Sequence, residues 1–389
     1  MKSFLPNDIK DQNRKIIFDI FLQEPNLAKI EVSERTTMSS VTVNKIVDFF
    51  EEIGIVTANG ESREGSGGLG RKRIIYSFNP NSYLTIGIQL IGNKVAATLV
   101  NLYSEVIDTC EIDGVVQFYS NDFAELLQKI VERFQKKIQN QKSKIIGLGI
   151  GVDGAIHIHR KTIRMRTLDN QKEEDYSYDT ILDKISEKIM LPIVLENDVN
   201  ASTIAEFSYL DRSGDGPCDM LQIALGEGIG AGLILNKKLH RGFSNSIGEL
   251  EYMCFDEEYV HNPSSVGWLE SKISLGYLEK EYQFNPKQIE VLTCDQKKRC
   301  VDYISKYLAL AIVNTISLLD IHNITLTGKT VIAMPDEIIE TTKQYINQYT
   351  GWNLTIRAGL QDKATAVGAA ILAFRSEMTK VIAGKGDEL

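Results

Sequence analysis

Apolar residues recur at Ile16, Ile17, Ile20 and Phe21, the spacing of one helical face, and predict a first helix over about 8–23 that Pro25 stops. A second short helix is expected over about 28–35. After the turn Thr36-Thr37-Met38, Ser39 is a capable N-cap for a third helix running to about Glu52. In that helix Val43, Ile46, Val47 and Phe50 stand at i, i+3, i+4 and i+7. They form the buried stripe and turn Ser40, Val41, Asn44 and Lys45 outward. Gly54-Ile55-Val56 then opens a strand, 66–73 is a glycine-rich basic tip, and Ile74 to Phe78 is a returning strand.

From Leu84 the pattern changes. Strands over 84–90, 94–102 and 105–112 read as a meander, followed by an amphipathic helix near 122–139 and a strand over 144–152. Strand and helix alternate through 193–196, 200–207, 220–225 and 232–235, with helices near 266–274 and 297–319 and a strand at 323–327. Glycine-rich turns stand at several strand ends, where open α/β sheets place ligands. The fold class expected is α/β: an N-terminal winged helix-turn-helix followed by a two-lobed chain.

The exposed N-terminal face of the third helix suits the major groove of duplex DNA. Asn44 can pair with an adenine edge, Lys45 with guanine or phosphate, and Val41 can touch a thymine methyl, with Ser39, Ser40 and Thr42 alongside. Two strands closing on Arg71-Lys72-Arg73 make a wing whose cations attract phosphate. The candidate DNA-binding residues are therefore Ser39, Ser40, Val41, Thr42, Asn44, Lys45, Arg71, Lys72 and Arg73, and the partner is a double-stranded operator.

Net charge alone would argue against nucleic acid, since 43 basic side chains face 52 acidic ones across 389 residues. Residues 1–80 nevertheless carry eleven of each sign, so the whole excess of −9 falls on the remainder. The five cysteines are odd in number and lack CxxC spacing, which points to reduced cytoplasmic thiols rather than a disulfide framework. No apolar run approaches a membrane span, and residues 1–10 are too polar for a signal peptide. A cytoplasmic location is expected.

Three stretches carry candidate chemistry. Leu195-Glu196-Asn197-Asp198-Val199-Asn200-Ala201 leaves a strand and opens a helix, where a carboxylate and amides can bond adjacent sugar hydroxyls or simply cap the helix. Leu225-Gly226-Glu227-Gly228-Ile229-Gly230-Ala231-Gly232 could cradle phosphates. The third runs through Arg241-Gly242-Phe243, Gly248-Glu249-Leu250-Glu251 and Val266-Gly267-Trp268-Leu269-Glu270. Arg160, Lys161, Arg164 and Arg166 add a basic cluster, either a solvated loop or a contact for a sugar phosphate.

In this order and spacing, with 147–154 and Ala366-Val367-Gly368-Ala369-Ala370, the chain resembles the ROK family of repressors and sugar kinases over essentially its whole length. The resemblance implies an actin-like ATPase-type fold behind the winged head. It implies domains at 1–80 and 81–389, the latter with lobe one over about 81–195 plus a C-terminal helix near 363–389, and lobe two over about 196–362. It places Asn197, Asp198, Glu249, Glu270 and Gly154 at the ligand between the lobes, with Asp198 at the base position of the family's kinases.

Against the kinase pattern Asp-x-Gly-Gly-Thr the chain has Gln89-Leu90-Ile91-Gly92-Asn93, Glu227 replaces a threonine, and Thr327-Gly328 replaces Gly-Gly. A carboxylate ~4 Å from a phosphate costs on the order of 4 kcal/mol at an effective dielectric near 20. No catalysis and no cofactor are therefore expected. The family's zinc positions are matched by Tyr252, His261, Pro263 and Trp268, a set without thiolate, so no metal is expected. Tyr252 and Trp268 could stack on a sugar or pack in the core. The expected protein is a homodimeric, sugar-responsive repressor; the alternative is an ATP-dependent sugar kinase with an attached DNA head.

Overall fold

The structure, a computed structural model, describes residues 6–62, 73–91, 94–114, 117–118, 120–166, 173–212, 214–262, 265–360 and 363–384. In chain order the first elements are α1 (Pro6–Gln23), β1 (Asn26–Ala28), α2 (Lys29–Arg35), α3 (Ser40–Glu52), β2 (Val56–Ser62) and β3 (Arg73–Phe78). Next come β4 (Tyr83–Ile91), β5 (Lys94–Val100), β6 (Val106–Asp113), α4 (Asn121–Ile138) and β7 (Lys144–Val152). A small insertion follows as β8 (Ala155–His157), β9 (Thr162–Arg166) and β10 (Glu173–Ser177), then α5 (Tyr178–Ser186), β11 (Ile193–Asn197) and α6 (Asp198–Leu210). The remainder is β12 (Met220–Leu225), β13 (Ile229–Leu235), β14 (Lys238–His240), α7 (Glu270–Ile273), α8 (Leu275–Tyr282), α9 (Cys294–Leu319), β15 (Asn323–Thr327), α10 (Lys329–Ala333), α11 (Pro335–Thr350), β16 (Thr355–Ala358) and α12 (Ala364–Ala383).

The chain forms two compact units. One comprises residues 1–150, 182–195 and 369–389. It contains a three-stranded sheet ordered β1-β3-β2 and a five-stranded sheet ordered β11-β7-β4-β5-β6. In α3 the buried residues are Val43, Ile46, Val47 and Phe50, the predicted stripe. Burying side chains of this kind contributes roughly 1.5–3 kcal/mol each before chain entropy is subtracted. Ser39 caps the helix by accepting the Thr42 N–H at 3.2 Å. Strand β1, three residues long, pairs with β3 from Asn26↔Ser77 to Ala28↔Ile75.

This small sheet and its helices do not close on themselves. Ile17, Phe21, Val43, Phe50 and Phe78 share one apolar cluster with Tyr83, Leu102, Ile146, Met378, Val381 and Ile382. Arg14 on α1 donates to the Ile382 carbonyl at 2.9 Å, near the C-terminus of α12, and its guanidinium lies 3.6 Å from the centre of the Phe49 ring. The Tyr83 hydroxyl donates to the Ile53 carbonyl at 3.0 Å. Helix α12 also lies close on β7: a Cβ at Gly149 would stand 1.9 Å from the Ala369 carbonyl oxygen.

The second unit comprises residues 151–181 and 196–368. Its five-stranded sheet is ordered β14-β13-β12-β15-β16, with β15 parallel to both β12 and β16 and β13 antiparallel to β12 and β14. A satellite antiparallel sheet has the order β10-β9-β8. The core gathers Leu221, Ile223 and Leu326 from the sheet with Leu308, Ile312 and Ile338 from α9 and α11. The helix expected over 266–274 begins only at Glu270 and ends at Ile273, and Gly267 before it packs against the Glu251 carbonyl, where a Cβ would come to 2.3 Å. Lys161 lies in a turn and Arg164 on β9, so part of the basic stretch is strand.

Candidate functional site

Of the nominated ligand residues, Asn197, Asp198 and Gly154 meet at the start of α6, Glu249 is near enough for its charge to act on Asp198, and Glu270 is held at the start of β13. Asn197 caps α6: its Oδ1 accepts the Asn200 N–H at 3.0 Å. Its Nδ2 donates to the Gly154 carbonyl at 3.1 Å and to Asp198 Oδ1 at 3.2 Å. Cap and bridge are thus the same side chain. Gly154 has no room for a side chain, since a Cβ there would stand 2.4 Å from the Arg164 carbonyl oxygen.

Asp198 Oδ1 also accepts the Val199 N–H at 2.8 Å, and the Asp198 carbonyl accepts Thr365 Oγ1 at 3.1 Å. Burial, and then the negative charges of Asp153 and Glu249, push the Asp198 carboxyl up to about 8, against the pull of backbone N–H groups. Glu249 follows Gly248, whose φ of 94° suits glycine and whose carbonyl accepts the Ala231 N–H at 2.8 Å. That contact fixes Glu249 beside β13. Glu270 opens α7 with 4% exposure, and its Oε2 accepts the Ile229 N–H at 3.1 Å.

Other groups stand at this site that were not nominated as ligand residues, although Glu196, Asn200, Arg241 and Asp153 lie within the motifs quoted above. Glu196 takes two hydrogen bonds from Arg241, at 2.8 and 2.6 Å, and accepts Asn200 Nδ2 at 3.2 Å. Asn245, with φ of 62°, donates to the Ile156 carbonyl at 2.9 Å, while its Oδ1 and that of Asn200 are buried with no hydrogen-bond partner among the described residues. Asp153 enters through its field on Asp198. Nothing local announces these pairings, because the partners lie 45 and 89 positions apart.

Two of the four charges nominated for a phosphate are engaged with acidic partners at the surface. Lys161 pairs with Asp179 at 2.8 Å and Arg164 with Asp175 at 3.2 Å. At the zinc positions Trp268, 6% exposed, packs edge-on against Phe255 and beside Tyr307, with ring centres 5.5 and 5.8 Å away. Tyr252 stands half-exposed, edge-on to His261 at 5.6 Å, and the Tyr259 hydroxyl lies 3.1 Å from His261 Nδ1. One imidazole among aromatic rings does not fit a zinc site. Trp268 is a core residue. Pro263 lies outside the described residues, as do Gly92 and Asn93.

In the first unit, α3 exposes Ser39, Ser40, Val41, Asn44 and Lys45, with Val41 64% exposed and Thr42 partly covered. Asp48, on the next turn, is ion-paired with Lys29, which offsets a carboxylate that would repel DNA phosphates. Strands β2 and β3 pair from Val56↔Phe78 to Ser62↔Arg73, so Arg73 opens the returning strand in an exposed position. Arg71 and Lys72 lie outside the described residues.

A two-unit α/β chain with a small helical and stranded head defines the class, and comparison with known proteins defines the family. The ROK family description matches residues 85–376, and the chain belongs to the ROK family. The xylose repressor of Caldicellulosiruptor bescii is 24% identical over 264 residues, 68% of this chain and 64% of that protein. The chain thus spans about 64% of the length of such curated relatives. A ROK family transcriptional regulator, a homologue of the Escherichia coli MLC protein, superimposes over 98% of this chain and all of its own, with TM-score 0.74 and 17% identity. A ROK glucokinase from Streptomyces griseus, solved with glucose and AMPPNP, covers 75% of the chain and 99% of itself, with TM-score 0.59 and 21% identity. The full-length match includes the head, and the fold class is the one expected.

Proposed function

We propose that the chain is a sugar-responsive transcriptional repressor. Its winged helix-turn-helix, residues 1–80, reads a palindromic operator as part of a homodimer, and a sugar bound by Asn197, Asp198, Glu249, Glu270 and Gly154 alters operator affinity. The observation that carries this reading is α3: a capped helix with its apolar stripe buried and Ser40, Val41, Asn44 and Lys45 exposed, beside a two-stranded wing. Relatedness to xylose repressors supports it. The ligand must bind the two states with different affinity for the coupling to exist.

The ligand is an unphosphorylated sugar. Asp198 feels the charges of Asp153 and Glu249, and Lys161 and Arg164 pair with acidic partners, so the site disfavours an added phosphate. An electrophoretic mobility assay with the DNA upstream of the gene, titrated with xylose, glucose and their phosphates, tests this. Retarded DNA that a plain sugar releases or tightens is the expected result. Failure to retain any such DNA, or a response to phosphorylated sugars alone, contradicts the reading.

One observation favours the kinase alternative: a carboxyl pushed up to about 8 at the nominated hydroxyl-binding position resembles a general base. Coupled ADP release across common sugars separates the two. We assign Asp198 to hydroxyl binding and expect no turnover.

A further inference from the structure

In the satellite sheet of the second unit, ordered β10-β9-β8, the outer edge of β8 meets no further strand among the described residues. Side-chain amides take its place. The Gly154 carbonyl, just before β8, accepts Asn197 Nδ2 at 3.1 Å, and the Ile156 carbonyl within β8 accepts Asn245 Nδ2 at 2.9 Å. Carbonyls two residues apart on an extended chain point the same way and stand ~7 Å from one another, so the two amides lie side by side along one edge. A carbonyl only accepts, which obliges each amide to turn its nitrogen to β8 and its oxygen away. The Asn197 oxygen is used in capping α6, where it accepts the Asn200 N–H. The Asn245 oxygen is buried, on a residue 7% exposed, and has no hydrogen-bond partner among the described residues.

This oxygen is held in place from several sides. Arg241, at the start of the same loop, pairs with Glu196 at 2.6 Å, and the Phe243 carbonyl lies 3.1 Å from His159 Nε2. The φ of 62° at Asn245 is one that asparagine tolerates better than most residues. A buried acceptor fixed in this way and left unpaired carries a desolvation cost that an arriving donor relieves. Asn197 also touches Asp198 Oδ1, at 3.2 Å, so a sugar ring seated at Asp198 extends its other hydroxyls along the β8 edge towards Asn245. We infer that Asn245 is a specificity-determining residue of the sugar site, its side-chain oxygen accepting a ring hydroxyl remote from the one held at Asp198. The inference rests on the sugar-responsive reading above and deepens it: the ligand is an aldose with hydroxyls at both ends of this edge, and a sugar deoxygenated at the Asn245 end is rejected.

The test is a calorimetric titration of D-glucose and D-xylose, each with its monodeoxy analogues, into the full chain and into Asn245→Gly and Asn245→Asp. Glycine adopts this φ freely and removes the acceptor, whereas aspartate keeps an oxygen at the same place. Wild type should bind one monodeoxy analogue roughly tenfold or more weakly than its parent sugar. Asn245→Gly should bind the parent sugar weakly and that analogue equally well, so that the two deletions are not additive, and Asn245→Asp should regain the preference. Discrimination at every hydroxyl that survives in Asn245→Gly overturns the inference. So does its absence from wild type, or identical behaviour of the two variants, which leaves Asn245 as a clasp on β8 whose oxygen bonds water. Wild type that binds neither parent sugar strikes the functional reading instead, a result distinct from binding without discrimination.

Discussion

Replacing Asp198 by asparagine should convert a pH-dependent molecule into a flatter one. The wild-type carboxyl is raised from 3.8 to about 8, chiefly by burial and then by Asp153 and Glu249. A carboxyl raised on folding leaves the folded state binding more protons than the unfolded one. Its contribution to stability is therefore fully present below pH ~4 and is lost as pH rises through about 8. A gap of about four pH units, at roughly 1.4 kcal/mol each, sets a ceiling of ~6 kcal/mol, and relaxation around the charge makes ~2–3 kcal/mol the working expectation. Asparagine keeps an acceptor for the Val199 N–H and carries no charge.

Urea denaturation followed by circular dichroism at pH 5, 7 and 9 is the assay. Glu206 is also pushed up, to about 7, by burial, and adds a slope of the same sign to both proteins. The readout is therefore the difference between variant and wild type. The advantage of Asp198→Asn over wild type should be smallest at pH 5 and largest at pH 9. A difference that stays constant across the range, or shrinks as pH rises, refutes the ionisation argument.

Removing Arg14 tests the join between α1 and α12. Arg14→Ala loses a charged hydrogen bond to a helix C-terminal carbonyl and a contact with Phe49, and should cost about 2–3 kcal/mol and weaken DNA retention; an unchanged denaturation midpoint would dismiss the join. Gly368→Ala should be severe, above ~3 kcal/mol, because the new methyl would stand 1.7 Å from the Ala201 carbonyl oxygen on α6, and soluble expression with thermal melting reads it. Trp268→Ala should cost about 3–5 kcal/mol by emptying the aromatic cluster. EDTA should leave the wild-type melting temperature unmoved; a drop with chelator would show that metal holds this region instead.

Helical periodicity exposed α3 because its stripe is regular and its cap is a serine, and β7 and β15 were legible because each is a short apolar run bounded by turns. Strand β1 was not, since three residues pair only because β3 is presented to them. Strand β10, Glu173–Ser177, reads as a charged loop and becomes a strand by lying against β9. Helix α11 did carry a signal that passed unused: Pro335 at its start, Ile338, Ile339, Thr342 and Ile346 at helical spacing, and Gly351 at its end. At the candidate site, Asn197, Asp198 and Gly154 were nominated through the family resemblance, and the structure joins them by hydrogen bonds. The grip of Arg241 on Glu196 and the raised carboxyl of Asp198 depend on folding that brings distant charges and burial together.

The core shared by α1, α3 and β3 with Ile146, Met378 and Ile382 has a consequence for the proposed function. Under that proposal, a reading head soldered to its carrier would absorb an extra base pair poorly. An operator whose spacer is lengthened by half a helical repeat should then lose binding rather than be stretched to fit.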